Sequence, residues 1–211
     1  MNSGSVHKRA GFSLIEFAIV LAIIGIVLAA LWGVVSIVRE NIKREETAEQ
    51  MTAIVSKIRD YYMGRACVST NFDCTGSGAV LTETLFRQNL LLPEQLRDRT
   101  AVVLVADHPW GASAADGSSL AGGSLIVRAV GDGRDPSGLG AFQIELLGLK
   151  ESSCVALASS LSGAGAPKGL VTMTINGTSV TLPATPEAAG GACTTPSGAT
   201  NTIIMAYRLR P

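Results

Sequence analysis

Residues 11–16 read Gly-Phe-Ser-Leu-Ile-Glu, and Glu16 is the one carboxylate near the start of a long apolar run. An ionisable group in apolar surroundings is costly enough that it needs a partner of opposite charge. Four cysteines, Cys67, Cys74, Cys154 and Cys193, form the second set of reactive groups. Other chemistries fall away on spacing. His7 lies in a short basic stretch and His108 stands alone in a His-Pro-Trp-Gly turn, so no Ser, His and Asp arrangement or Cys and His pair can be assembled. No glycine-rich phosphate loop is present. Asp132 and Asp135 lie in GDGRDPSG, which lacks the spacing and terminal glutamate of a calcium loop and reads as a solvated turn.

Phe17 to Val38 is a run of 22 residues without a charge, long enough for one helix to cross a hydrocarbon core. His7, Lys8 and Arg9 precede it, and mixed charges from Arg39 to Glu46 follow. The basic bias places the N-terminus in the cytoplasm and the rest of the chain outside. A cleaved secretory signal is the competing reading, but the apolar run is too long for one and Leu28-Ala29-Ala30 is an imperfect cut site. All four cysteines then sit in a compartment where disulfides persist. Zinc is the alternative, yet CVSTNFDC has the wrong spacing and no neighbouring histidine completes a ligand set, so no metal is expected. Three connectivities are open. Proximity favours Cys67 with Cys74 and Cys154 with Cys193.

The whole chain has 211 residues, with 17 basic and 17 acidic side chains, so nothing in its totals points to a nucleic-acid partner. Past the apolar run, Met51, Ile54, Val55, Ile58, Tyr61 and Tyr62 recur at three- and four-residue steps, which continues the helix as an amphipathic half to about Gly64. The remainder predicts a short helix at 82–89, strands at 101–106, 124–130 and 141–147, and a helix at 149–161 carrying Cys154. A hairpin follows around Asn176-Gly177, then a loop at 183–201 and a final strand at 202–209.

The basic leader, Gly11, Phe12 and Glu16 before a long apolar segment resemble the class III signal of type IV pilins and pseudopilins. The resemblance implies an α+β, pilin-like fold, with a long N-terminal helix, half membrane-spanning and half amphipathic, on an antiparallel sheet body. It divides the chain into a leader at 1–11, the helix at 12–64 with its membrane span at about 17–38, and a disulfide-bonded body at 65–211. It implies that a prepilin peptidase cuts after Gly11 and N-methylates Phe12. Glu16 becomes the assembly residue that neutralises a neighbour's new amine. The partners it implies are further copies of the chain in a helical homopolymer, the peptidase, the inner-membrane assembly machinery and the membrane itself. It implies no catalytic residues and no cofactor, and a passage from the inner membrane to an extracellular fibre. The function expected is a structural subunit of a type IV pilus, serving adhesion, surface contact or mating-pair stabilisation. A type II secretion pseudopilin is the alternative within that architecture, and a monomeric membrane-anchored binding module or enzyme the alternative outside it. Phe12 as first mature residue is similar to type IVa pilins. The turn at His108-Pro109-Trp110-Gly111 and the stretch FQIELLGLKESSC are similar to type IVb pilins, including conjugative thin-pilus and toxin-coregulated ones. The branch stays open.

Overall fold

The computed structural model describes residues 14–64, 80–88, 90, 96–98, 105–110, 124–130, 140–164, 166–194 and 200–210. Gly11, Phe12, Cys67, Cys74, Asp132, Asp135 and residues 101–104 lie outside them. The chain divides into two units, Met1–Asn41 and Ile42–Pro211.

One helix, α1 (Leu14–Tyr62), runs unbroken for 49 residues. Neither proline nor a run of β-branched and glycine residues dense enough to break it interrupts this stretch. Its C-terminal part buries Thr47, Met51, Ile54, Val55, Ile58 and Tyr62, which is the stripe expected from the spacing, with Thr47 added and Tyr61 left half-buried. Thr47 can be buried because its hydroxyl donates to the Lys43 carbonyl at 2.8 Å.

That stripe joins one core with a seven-stranded antiparallel sheet. The strands are β1 (Leu96–Asp98), β2 (Val105–Ala106), β3 (Leu125–Val130), β4 (Ala141–Leu149), β5 (Leu170–Ile175), β6 (Thr178–Val180) and β7 (Asn201–Arg208), in the spatial order β1-β2-β3-β4-β7-β5-β6. On β7 the burial alternates strictly, with Asn201, Ile203, Met205 and Tyr207 inward. The register carries this face across the sheet in rows. Val127, Ile144, Met205 and Met173 form one row and Leu125, Leu146, Ile203 and Ile175 another. In the third row Ala129 faces Phe142, whose ring stacks on Tyr207 with centroids 5.6 Å apart. The opposite face of β3 and β4 is mixed, with Ile126 and Ala141 beside a polar cluster in which Glu145 accepts from Arg128 and Gln143, both at 2.6 Å. Arg59 fastens α1 to the sheet's end, donating from Nε and Nη2 to the Arg208 carbonyl at 3.1 and 3.0 Å.

Two further helices flank the C-terminal strands. In α3 (Glu151–Ser162), Cys154, Leu157, Ala158 and Leu161 make a buried helical stripe. A helix α4 (Pro186–Ala192) occupies the stretch expected to be only loop. Its start is well specified, since the Thr185 side chain accepts from Ala188 N at 3.2 Å and Pro186 stands in the first turn. Gly190 and Gly191, each about 1 kcal/mol unfavourable in a helix, hid it from propensity. It persists because both ends are tied. Ala184 N donates to Ser162 Oγ at 2.8 Å before it, and a disulfide joins Cys193 to Cys154 just after it. The three-residue β1 is a second element with no sequence expectation, too short to show a period. The 82–89 expectation appears as α2 (Thr82–Arg87), and the 149–161 helix starts two residues later because Leu149 completes β4.

His108 sits 4% exposed beside β2. Its Nε2 donates to the Leu147 carbonyl at 2.8 Å and its Nδ1 accepts from Trp110 N at 3.3 Å, an arrangement only the neutral ring can make. Burial holds its pKa below the usual imidazole value, with the Leu147 hydrogen bond and Asp107 opposing.

Two expectations for stability follow. The bridge spans 39 residues, so Cys154→Ser or Cys193→Ser should cost about 4 kcal/mol in non-reducing denaturant melts by the chain-entropy model. A loss under about 1 kcal/mol would show that the loop is held by other means. Because His108 takes up a proton more readily unfolded than folded, its contribution is present above the unfolded pKa of about 6.5 and is lost as pH falls. Wild type should therefore be more stable than His108→Gln at pH about 7.5, and the gap in melting temperature should narrow toward pH about 5.

Candidate processing and assembly site

Leu14 to Val38 is exposed throughout, including Ile26, Leu31 and Trp32, the last at 75%. The segment is long and apolar enough to cross a membrane. Its polar groups are accounted for locally. Backbone groups are satisfied along the helix, and Ser36 Oγ donates to the Gly33 carbonyl at 2.8 Å. A Cβ built on Gly25 or Gly33 meets nothing within 4 Å, so no packing inside the chain requires glycine at either position.

Glu16 is the one charged side chain in this surface. It lies in the first turn of α1, exposed, where a negative charge is favoured by the unsatisfied backbone N–H groups of a helix start. From Phe17 onward no further charge occurs until Arg39. The structure therefore puts one carboxylate at the end of a helix segment suited to lipid. Gly11 and Phe12 are three and two residues before the first described position.

Elsewhere, an open cleft in the body is lined by Lys43, Glu46, Glu49, Gln50, Asp107 and His108. Its histidine has both ring nitrogens engaged, one on Leu147 and one on Trp110, which leaves neither to act as a base on a substrate. Asp107 Oδ1 accepts from Ser124 N at 2.7 Å, and Ser124 Oγ accepts from His108 N at 3.0 Å. These polar residues stitch the β2 end to β3 and β4. The sequence reading treated His108 as an isolated turn residue. Its neighbour Pro109 carries no local signal of that burial, and Ser124, buried with it, is 16 positions away.

Of the four cysteines, the structure brings together Cys154 and Cys193, fully buried, as proximity favoured. Among the described residues no group of three or more His, Cys, Asp or Glu side chains is arranged to hold a metal. The sequence reading missed the pairing of Asn176 with Asn201, whose side chains meet at 2.8 Å although they are 25 positions apart.

Comparison with protein-family models matches residues 6–32 to the prokaryotic N-terminal methylation motif. Curated proteins give no match. Among solved structures, the chain is similar to a type IVb pilin from Salmonella typhi, with a TM-score of 0.51 at 20% identity, covering 77% of this chain and 97% of that one. It is also similar to TcpA, a type IV pilin from the El Tor biotype of Vibrio cholerae, with a TM-score of 0.50 at 11% identity, covering 78% and 98%. The chain thus carries the prokaryotic N-terminal methylation motif at the head of a type IV pilin fold.

Proposed function

We propose that this chain is a prepilin, matured into the structural subunit of a type IV pilus. The observation that carries the reading is the exposed, uncharged helix from Phe17 to Val38 with one carboxylate at its start, joined to a chain with the pilin fold. So large an apolar surface has two stable environments, lipid or other copies of itself. The inner membrane is the first and a filament the second. Heterologous contacts repeated along a screw axis bury every helix without closing a ring.

Processing sets the register. Glycine at position 11 keeps the backbone slim enough to enter a protease site in extended form, while Lys8 and Arg9 hold it at the cytoplasmic face. Cleavage after Gly11 creates a cationic amine on Phe12, which the peptidase methylates. In the membrane or the fibre that amine and Glu16 are opposite charges in a medium of low dielectric, so each stabilises the other. Glu16 of one copy docks the amine of the next. Gly25 and Gly33, where a side chain would meet nothing within the chain, let neighbouring helices approach closely. The disulfide-bonded body faces the periplasm before assembly and the medium after it. The finished fibre serves adhesion, surface contact or mating-pair stabilisation.

Two variants test the steps separately. Gly11→Glu should leave an uncut precursor in the inner membrane, detected by its unchanged N-terminus. Normal maturation would remove the proposed cut site. Glu16→Gln removes the charge yet retains hydrogen bonding, so it should give a cleaved, disulfide-bonded subunit that accumulates in the membrane with few or no fibres. Abundant fibres from that variant alone, seen by electron microscopy at normal subunit levels, would rule out the docking role.

A further inference from the structure

A polar junction at the β5–β6 turn is built on a chemically labile residue. Asn176 and Gly177 form the two-residue turn between β5 and β6, with φ of 51° and 82°. Both values lie in the left-handed region that such a hairpin turn requires. The Asn176 side chain then reaches back across three segments. Its Nδ2 donates to the Ala192 carbonyl at the end of α4, at 3.0 Å, and to Asn201 Oδ1, at 2.8 Å. Its Oδ1 accepts from Thr202 N at 3.0 Å. Asn201, fully buried, passes the connection on by donating to the Leu149 carbonyl at 3.2 Å. One exposed carboxamide therefore joins the hairpin, the start of β7 and the end of α4, next to Cys193.

Asparagine before glycine is the pair in which the side-chain amide is most open to attack by the following backbone nitrogen, because Gly177 has no Cβ to shield it. We propose that Asn176 is a self-modification site, protected while its carboxamide clasps Ala192 and Asn201, and that the Cys154–Cys193 disulfide controls its exposure by holding the Ala192 end in place. In the reaction, Gly177 N bonds to Asn176 Cγ and the Cγ–Nδ2 bond breaks. The departing nitrogen takes the Gly177 proton and leaves as ammonia. Water then opens the five-membered imide at either carbonyl, giving aspartate or isoaspartate. Attack requires the three hydrogen bonds of the carboxamide to be released first. The product cannot remake the clasp, since a carboxylate oxygen replaces the double donor and faces two acceptors, the Ala192 carbonyl and Asn201 Oδ1. Asn201 cannot turn its amide without abandoning Leu149. Modification thus removes the carboxamide's tie to the α4 end for good, leaving the disulfide as its remaining restraint.

The test follows amide loss in the full-length chain in detergent micelles at mildly alkaline pH, by mass spectrometry of the tryptic peptide 169–208 after reduction. Fragmentation assigns the change to Asn176, and Asn201, followed by threonine, serves as internal control. Loss should be fastest in urea and about tenfold or more slower in the folded, oxidised protein, since attack must wait for the hydrogen bonds of the carboxamide to open. The Cys154→Ser, Cys193→Ser double variant should fall between. Equal rates in folded wild type and urea would overturn the protection, and a double variant as slow as wild type would overturn the control by the disulfide. Hydrogen exchange on Asn176→Asp should show faster exchange at residues 188–193 and unchanged exchange in β3 and β4. Unchanged exchange at 188–193 would mean that the carboxamide holds nothing. If that variant fails to fold, wild type aged until it carries the modification gives the same readout.

Discussion

Water cannot solvate the side chains from Phe17 to Val38, and every larger feature of this molecule answers to that constraint. A helix is the one backbone form that satisfies its own hydrogen bonds over such a length in lipid, and α1 takes it without a break. Where charge returns at Arg39, the same helix changes its pattern. From Thr47 it presents a narrow apolar stripe instead of an apolar surface all round. One element therefore carries two surface patterns, and the sequence marks the change by where polar residues begin to interleave.

The body meets the stripe with a sheet whose buried face is continuous across β3, β4, β7 and β5. Its rows depend on register, since a slip of one residue on β7 would exchange Asn201, Ile203, Met205 and Tyr207 for Thr202, Ile204, Ala206 and Arg208. Arg59 on the Arg208 carbonyl and the Phe142–Tyr207 stack fix the end of that register nearest the helix terminus. The other end is fixed by polar means, through Asn201 and Asn176, and by the disulfide that restrains α4. Helix α4, which has no large apolar side chain, is thus held by covalent and hydrogen-bond ties in place of a core of its own.

What the sequence made legible was governed by short-range rules. Helix periodicity located the buried stripe of α1, apolar runs between turn-rich stretches located β3, β4 and β7, and Asn176-Gly177 located the hairpin to the residue. Elements fixed by distant contacts were not legible. Helix α4 contains two glycines and is kept by Ser162 and Cys154, which lie before the β5–β6 hairpin in the chain. His108 reads as an isolated turn residue, yet it is buried by a carbonyl 39 positions away. Of the candidate site, the motif and the placement of Glu16 at a helix start were readable because both are local. The use of Asn176 as a junction was not, since its partners come from α4 and β7.

The proposed function requires an apolar helix, headed by a cut and methylated residue, to be buried among copies in a fibre. The intact mass and N-terminal sequence of this subunit in filaments sheared from cells measure that directly. The expected result is a chain beginning at Phe12 with one added methyl group, recovered with the fibres. A subunit that retains residues 1–11, or one found only in the membrane fraction with no fibre to shear, would contradict it.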